Sequence, residues 1–359
     1  MRLGVEAALV DGVLVPGDVS VEGEVVAAVG LAGRGHGIAA PGFVDLQVNG
    51  FAGVDFLGAD ADGYAAAGQA LMETGVTAYL PTFVTSSEAE LVTALRAVPD
   101  ARPGPRILGA HLEGPFLSPT RPGAHDRAAR RDPDSALLER LLEAGPVRLV
   151  TLAPELPGAL ELIELLHARD VTVSLGHTDA DAAAAHAAFG RGVRSVTHIF
   201  NAMRPLAHRD PGIVGAALAR PEVSIQAIVD GVHLAPEIVR LLLLVARERL
   251  ALVTDAIAGA ACGDGTYALG RAEVVVSDGV ARARGGVLAG SVLTMPQAVR
   301  NLVEHGASLE QALTAASAVP ARVLGLPSVG RLAPGCPADV VVLDDRLDVV
   351  RTVVAGELP

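Results

Sequence analysis

The sequence predicts an α/β protein: a (β/α)8 TIM barrel with a small β-sandwich domain formed by both chain termini. Three observations predict it. Eight short apolar runs alternate with helical stretches through the middle of the chain. Two turn-rich β segments flank that centre, one at each end. The 359 residues exceed one barrel of about 250 residues by enough for a second small module. The expected division is 1–38 and 325–359 for the β domain and 39–324 for the barrel.

The elements follow in order. Residues 8–13 carry the Asp11-Gly12 turn signal, and residues 19–29 alternate around Glu22-Gly23-Glu24. Apolar runs at 43–48, 76–80, 107–112, 147–152, 171–175, 193–197, 223–229 and 250–253 read as buried strands. Residues 60–73 and 160–168 read as helices. Residues 178–189 form an Ala-rich third one, with Thr178 or Asp179 as N-cap and Gly190 as stop. A β-like insertion, 267–288, follows the eighth run, and helices near 294–305 and 309–316 close the barrel. Residues 340–343 and 349–354 return to β patterning. Eight such units fit a closed parallel barrel better than an open sheet.

Composition narrows the function. Half of the residues are hydrophobic and 19% are charged, which favours a large buried core over disorder. With 3% aromatics and no Trp, that core must be built from Ala, Val and Leu. A net charge of -13 argues against nucleic acid or an anionic membrane as partner. An anionic substrate then needs a local basic cluster. All 28 basic residues are Arg, so Schiff-base chemistry and a carbamylated-lysine metal bridge are excluded. Cys262 and Cys336, the only cysteines, make neither a disulfide framework nor a thiolate metal cluster. The N-terminus lacks a charged region followed by a long apolar run, and the apolar run 241–245 is too short to span a bilayer. The expected location is the cytoplasm.

In such a barrel, catalytic groups gather at the C-terminal ends of the strands. Those ends carry Gln47 and Asn49 on the first, Glu113 on the third, His177 on the fifth and His198 on the sixth. Asp230 and His233 follow the seventh, and Asp255 the eighth. Glu113, His177 and His198 form the set of two imidazoles and one carboxylate that leaves a position open on a catalytic divalent metal. Asp255 is then the candidate general base and acid. A lone histidine is more often an ordinary hydrogen-bonded loop residue. Several strands delivering ligands and titratable groups to one rim point to a site. His36, His167, His186 and His305 fall away from strand ends and read as structural, and Asp339 reads as a turn residue.

Several segments resemble the amidohydrolase superfamily. They are Pro41-Gly42-Phe43-Val44-Asp45, His111-Leu112-Glu113-Gly114-Pro115-Phe116, Gly176-His177-Thr178, Thr197-His198-Ile199-Phe200-Asn201-Ala202-Met203, Asp230-Gly231-Val232-His233, Val253-Thr254-Asp255-Ala256 and Leu288-Ala289-Gly290-Ser291. Within the superfamily they are similar to the N-acetylglucosamine-6-phosphate deacetylases, over about Pro41 to Asp339. The resemblance implies hydrolysis of N-acetyl-D-glucosamine 6-phosphate to D-glucosamine 6-phosphate and acetate. It assigns metal binding to Glu113, His177 and His198, and acid/base catalysis to Asp255. Asn201 and Ala202 would present groups to the sugar. Ala124, Leu288, Ala289 and Gly290 would line the sugar and acetyl pocket.

His233 and Arg209 would hold the phosphate, for which an Arg fork is well shaped. In this family that Arg tends to come from the neighbouring subunit, so a homodimer is implied. His125, beside Ala124, could reach the site from its loop. One departure concerns the metal. Gln47 and Asn49 stand where many amidohydrolases carry two histidines. Amides are weak zinc ligands, so one divalent ion per subunit is expected, zinc first, with iron, cobalt and manganese open. Three other readings remain. They are the galactosamine epimer as substrate, an amidohydrolase of another amide, and an inactive barrel used as a scaffold.

Overall fold

Burial along the central strands fixes their place. Strand β1 (Phe43–Val48) is buried at every position, and so is β2 (Val76–Val84). Strands with helices on one face and a barrel interior on the other read this way. β3 (Ala110–Glu113), β4 (Val147–Leu152), β5 (Thr172–Leu175), β6 (Ser195–Val196), β7 (Ser224–Ala227) and β8 (Leu250–Leu252) complete the set. Each pairs in parallel with the next. Between β8 and β1 the join among the described residues is one parallel bridge, Val48 to Ala256. The Asn49 and Gly50 N–H groups also reach the Ala256 carbonyl, at 2.8 and 3.1 Å. The result is a (β/α)8 TIM barrel. The computed structural model describes residues 1–33, 35–100 and 104–358.

All eight expected runs become strands. The second continues to Val84, and the third starts at Ala110, after a short strand Arg106–Ile107 that pairs beside β2. The helix Ala61–Glu73 starts from Asp60, whose side chain accepts the Gly63 N–H. Glu88–Ala97 starts from a reciprocal Ser87/Glu90 capping box. The helix after β5 corrects the expectation. It spans Ala182–Gly190 with Asp181 as its N-cap, and Gly190 is its last residue rather than its stop. Thr178 and Asp179 are unavailable as caps because a turn consumes them. The Thr178 hydroxyl donates to Glu155 Oε2 at 2.5 Å, and the Asp179 N–H to Glu155 Oε1 at 2.7 Å. A short helix, Ala318–Val323, follows Leu309–Ala315 and was not foreseen.

Both termini contribute to one five-stranded sheet, in the order Val13–Pro16, Ala7–Val10, Ile38–Pro41, Val340–Leu343, Val349–Val353. Asp11 and Gly12, at φ 47° and 81°, make the two-residue turn that register Val10 to Val13 requires. A second hairpin, Asp18–Glu22 with Val25–Leu31, packs its Val19, Val21 and Val26 against Val340 and Val353. Asp339 is more than a turn residue. It is buried, pairs with Arg106 at 2.7 Å and accepts the Ala355 N–H at 2.8 Å, tying this sheet to the barrel.

The insertion after β8 is a three-stranded antiparallel sheet, Gly265–Leu269, Ala272–Ser277 and Val280–Ala283. Its first turn is pinned to the barrel rim where the Gly270 N–H donates to Asp55 Oδ2 at 2.8 Å. Among the described residues no helix is long and apolar enough to cross a membrane.

Aromatics are few, yet three of them meet. Phe56, fully buried, stacks on Tyr64 and Tyr79 with centroids at 5.0 and 5.6 Å. A Phe56→Ala variant should lose about 3–5 kcal/mol in urea unfolding, since the cavity would be walled by barrel elements that cannot collapse.

Candidate active site

The C-terminal ends of the barrel strands surround a cavity of about 780 Å³, within the range of small-molecule sites. Glu113, His177, His198 and Asp255 line it, as do Ala124, His125, Asn201, Ala202, His233, Leu288 and Gly290. Two predicted residues do not. Ala289 is buried, its N–H bonded to the Ala281 carbonyl, because it packs inward with the insertion. Arg209 is exposed at the tip of a turn closed by reciprocal Ala207 and Asp210 backbone bonds of 3.0 and 3.2 Å. It is not among the residues that line its own chain's cavity. His177, His198 and Asp255 all have positive φ, 47°, 27° and 49°. Such backbone is costly for non-glycine residues and is typical of functional strand ends.

Glu113 Oε1 lies 2.9 Å from His198 Nε2 and 3.2 Å from His177 Nε2, and these two nitrogens are 3.2 Å apart. His125 Nε2 approaches Glu113 Oε2 at 3.3 Å. Ligand atoms of Glu113, His125 and His177 lie within 4.8 Å of one another, so proximity alone offers either His125 or His198 as a third ligand. Tautomers separate them. His177 Nδ1 faces the Arg121 carbonyl at 3.1 Å. A carbonyl only accepts, so Nδ1 carries the proton and Nε2 is bare. His125 Nδ1 accepts the Thr85 N–H at 3.1 Å. The proton of His125 is therefore on Nε2, which makes it a donor rather than a ligand.

Burial pushes His177 down to about 4, which keeps it neutral and its lone pair available. Burial opposes the Glu113 charge, but His125, His177 and His198 hold its carboxyl well below the usual range. Burial also lowers His198, yet Glu113 and Asp255 outweigh this and raise it. A bare imidazole nitrogen, a carboxylate and a second imidazole converging in a dry pocket suit a divalent cation. Among the described residues His198 Nδ1 has no hydrogen-bond partner. The residues present fit a metal.

Gln47, on β1, and Asn49, just past its end, both point their amides at the carboxylates of the site. Gln47 Nε2 donates to Glu113 Oε1 at 2.9 Å and to Asp255 Oδ1 at 3.0 Å, and Asn49 Nδ2 donates to Asp255 Oδ1 at 2.7 Å. Both faces offered are carboxylates, so the amides must turn their NH2 groups inward. Burial and then the Glu113 charge raise Asp255 to about 6, against the pull of His198, His233 and Asn49. A carboxyl near 6 is suited to exchanging protons at neutral pH.

Sequence reasoning left some functional contacts unread. Asp230 holds His233, Oδ2 to Nδ1 at 2.7 Å. Its signal was the Asp-x-x-His spacing. The Thr85 N–H and the Arg121 carbonyl set two histidine tautomers, but backbone groups leave no mark in a sequence. Arg127 and Arg271 also line the cavity, and nothing local announced them.

Residues 38–358 match the amidohydrolase family. The chain belongs to that family. This amidohydrolase is 43% identical over 343 residues to human N-acetylglucosamine-6-phosphate deacetylase, covering 90% of this chain and 84% of that one. It is 38% identical over 326 residues to the N-acetylgalactosamine-6-phosphate deacetylase of Escherichia coli O157:H7, covering 89% and 86%. Its fold superposes on the N-acetyl-D-glucosamine-6-phosphate deacetylase of Mycobacterium smegmatis, solved as a single-substitution variant in complex with N-acetyl-D-glucosamine-6-phosphate. That match has a TM-score of 0.95 and 39% identity, over 100% of this chain and 98% of the other.

The tautomers make the ligand set testable by elemental analysis. Wild-type protein should hold about one metal per chain, and Glu113→Gln or His177→Ala far less. His125→Ala should keep its metal; losing it would move His125 into the ligand set.

Proposed function

We propose that this chain hydrolyses N-acetyl-D-glucosamine 6-phosphate to D-glucosamine 6-phosphate and acetate. One observation carries the reaction type. Around a single buried carboxylate, His177 offers a bare nitrogen and His125 a protonated one, opposite Asp255. The names of the relatives support the sugar phosphate as substrate.

Glu113, His177 and His198 would hold the metal. When bound, it supplies Lewis acidity that makes a water more acidic and polarises the amide carbonyl. Zinc is the ion we favour, and iron, cobalt or manganese suit the same donors. Asp255 takes the proton of the attacking water while the Asn49 and Gln47 amides hold its carboxylate in place. His125 Nε2–H donates to the carbonyl oxygen as charge develops there. Protonated Asp255 then passes its proton to the amine nitrogen as the C–N bond breaks, and acetate leaves.

Asn201, Ala202, Ala124, Leu288 and Gly290 face the sugar, with Ala289 as backing. Asn201 is held for this role by Nδ2 bonds to the His198 and Ile199 carbonyls. His233, oriented by Asp230, meets the phosphate. The partner's Arg209 supplies the second contact in a homodimer. The exposure of Arg209 outside its own chain's cavity supports this, since the fork is free to meet a neighbour. The compartment is the cytoplasm, where the free Cys262 and Cys336 would stay reduced.

Acetate release should be fast with N-acetylglucosamine 6-phosphate and slow with the unphosphorylated sugar. Faster release from the galactosamine epimer would move the substrate to that of the Escherichia coli relative. Asp255→Asn should lower kcat at least about a hundredfold at unchanged metal content. Arg209→Ala should raise KM for the phosphorylated sugar about tenfold, the worth of a charged hydrogen bond, and sedimentation should give a dimer.

The sign of the pH dependence follows from Asp255. Its carboxylate is the working form, so activity is present above its pKa and is lost as pH falls through it. The metal's charge can only lower a value already about 6. The acid limb of kcat/KM should therefore fall at or below about 6; a limb centred well above it would belong to another group.

A further inference from the structure

The join that closes the barrel is also where its acid/base sits. Among the described residues every other neighbouring pair of barrel strands is joined within both strands, whereas β8 and β1 meet only through the isolated bridge of Val48 to Ala256, which lies past the end of β8. Asp45, fully buried on β1, reaches across that seam. Its Oδ2 accepts the Thr254 hydroxyl at 2.6 Å. Its Oδ1 accepts the Thr254 N–H at 3.3 Å and the Gln47 N–H at 3.2 Å. The Thr254 hydroxyl accepts the Ala256 N–H at 3.2 Å, and the Thr254 carbonyl accepts the Ser291 hydroxyl at 2.5 Å. Asp255 lies between these clamped residues at φ 49°, its own carbonyl taking the Ser291 N–H at 2.8 Å. Neither Asp45 nor Thr254 lines the cavity.

We propose that Asp45 is a positioning residue for Asp255. Its side chain supplies the cross-strand bonds that the missing ladder between β1 and β8 would have made. It thereby sets where the Asp255 carboxylate stands relative to its amide donors. Asp45 stands two residues before Gln47 on β1, and its carboxylate also reaches Thr254, so one group serves both sides. Asp45 holds the Gln47 backbone on one side and Thr254, the residue before Asp255, on the other. The inference rests on the reading of Asp255 as acid/base.

Hydrogen-bond geometry, more than charge, is what Asp45 contributes. Burial pushes it up to about 7 despite the Thr254 and Gln47 bonds. Asparagine could keep the Oδ1 contacts and turn its NH2 to the Thr254 oxygen, whose proton would then go to the Gln47 carbonyl at 3.4 Å.

Steady-state kinetics, bound metal and thermal unfolding of four variants test this. Asp45→Ala and Thr254→Val should each lower kcat about tenfold to a hundredfold, the cost of a small misplacement. KM should stay within about threefold and metal at about one per chain, which separates misplacement of Asp255 from general damage. Asp45→Asn should restore kcat to within about fivefold of wild type, and Asp45→Ala with Thr254→Val together should be no worse than the poorer single variant, since both cut one contact.

Near wild-type kcat in Asp45→Ala or Thr254→Val overturns the proposal, as does a parallel loss of kcat, KM and metal. If Asp45→Ala does not fold, Thr254→Val decides. Asp255→Asn run alongside separates the two failures. If it is inactive while the seam variants are unimpaired, only the positioning role falls. If it stays active, the acid/base reading falls and takes this proposal with it.

Discussion

The Glu113 carboxylate is the charge around which the rest of the site is arranged. It is 3% exposed, and an isolated carboxylate in such a place would take up a proton rather than stay ionised. It stays ionised because His198, His177, His125 and Gln47 all address it. Each of those groups is on a different strand or loop. Satisfying one buried charge therefore forces four chain segments into a common register, and the strained φ values of His177 and His198 are the backbone's share of that cost.

From this follows a division of labour among the imidazoles. His177 and His125 both touch Glu113 and are edge-to-face at 4.4 Å, yet they carry their protons on opposite nitrogens. The difference is made by backbone groups, an acceptor at Arg121 and a donor at Thr85. One ring becomes a ligand and the other a donor toward developing negative charge. The same logic separates the carboxylates. Glu113 is held ionised by imidazoles, whereas burial and then the Glu113 charge raise Asp255 to about 6, against the amide of Asn49. Two acids in one pocket thus take different tasks because their neighbours differ.

The fold serves this arrangement at its seam and its rim. The insertion Gly265–Leu269, Ala272–Ser277 and Val280–Ala283 roofs one side of the cavity and is fixed to the barrel through Asp55. The terminal sheet is joined at the opposite end through Arg106 and Asp339. Both attachments leave the strand ends rigid, which suits groups that must be placed to within a fraction of an ångström.

Most of the fold was legible because its signals are local. Buried parallel strands are continuous apolar runs, and Asp60 and Asp11-Gly12 mark a helix start and a turn by their own chemistry. The helix after β5 was misplaced because Glu155, from another loop, claims Thr178 and Asp179. At the site, residue types at strand ends gave Glu113, His177, His198 and Asp255. The sequence alone determined the barrel, its chemistry-bearing rim and the absence of lysine chemistry, since these depend on what each residue is. Only the tertiary structure decided three other points: which histidine nitrogen bears the proton, that Gln47 and Asn49 turn their amides onto Asp255, and that Arg209 lies outside the lining of its own cavity. These depend on what stands opposite each group, and the partners come from segments far away in the chain or from backbone atoms common to every residue.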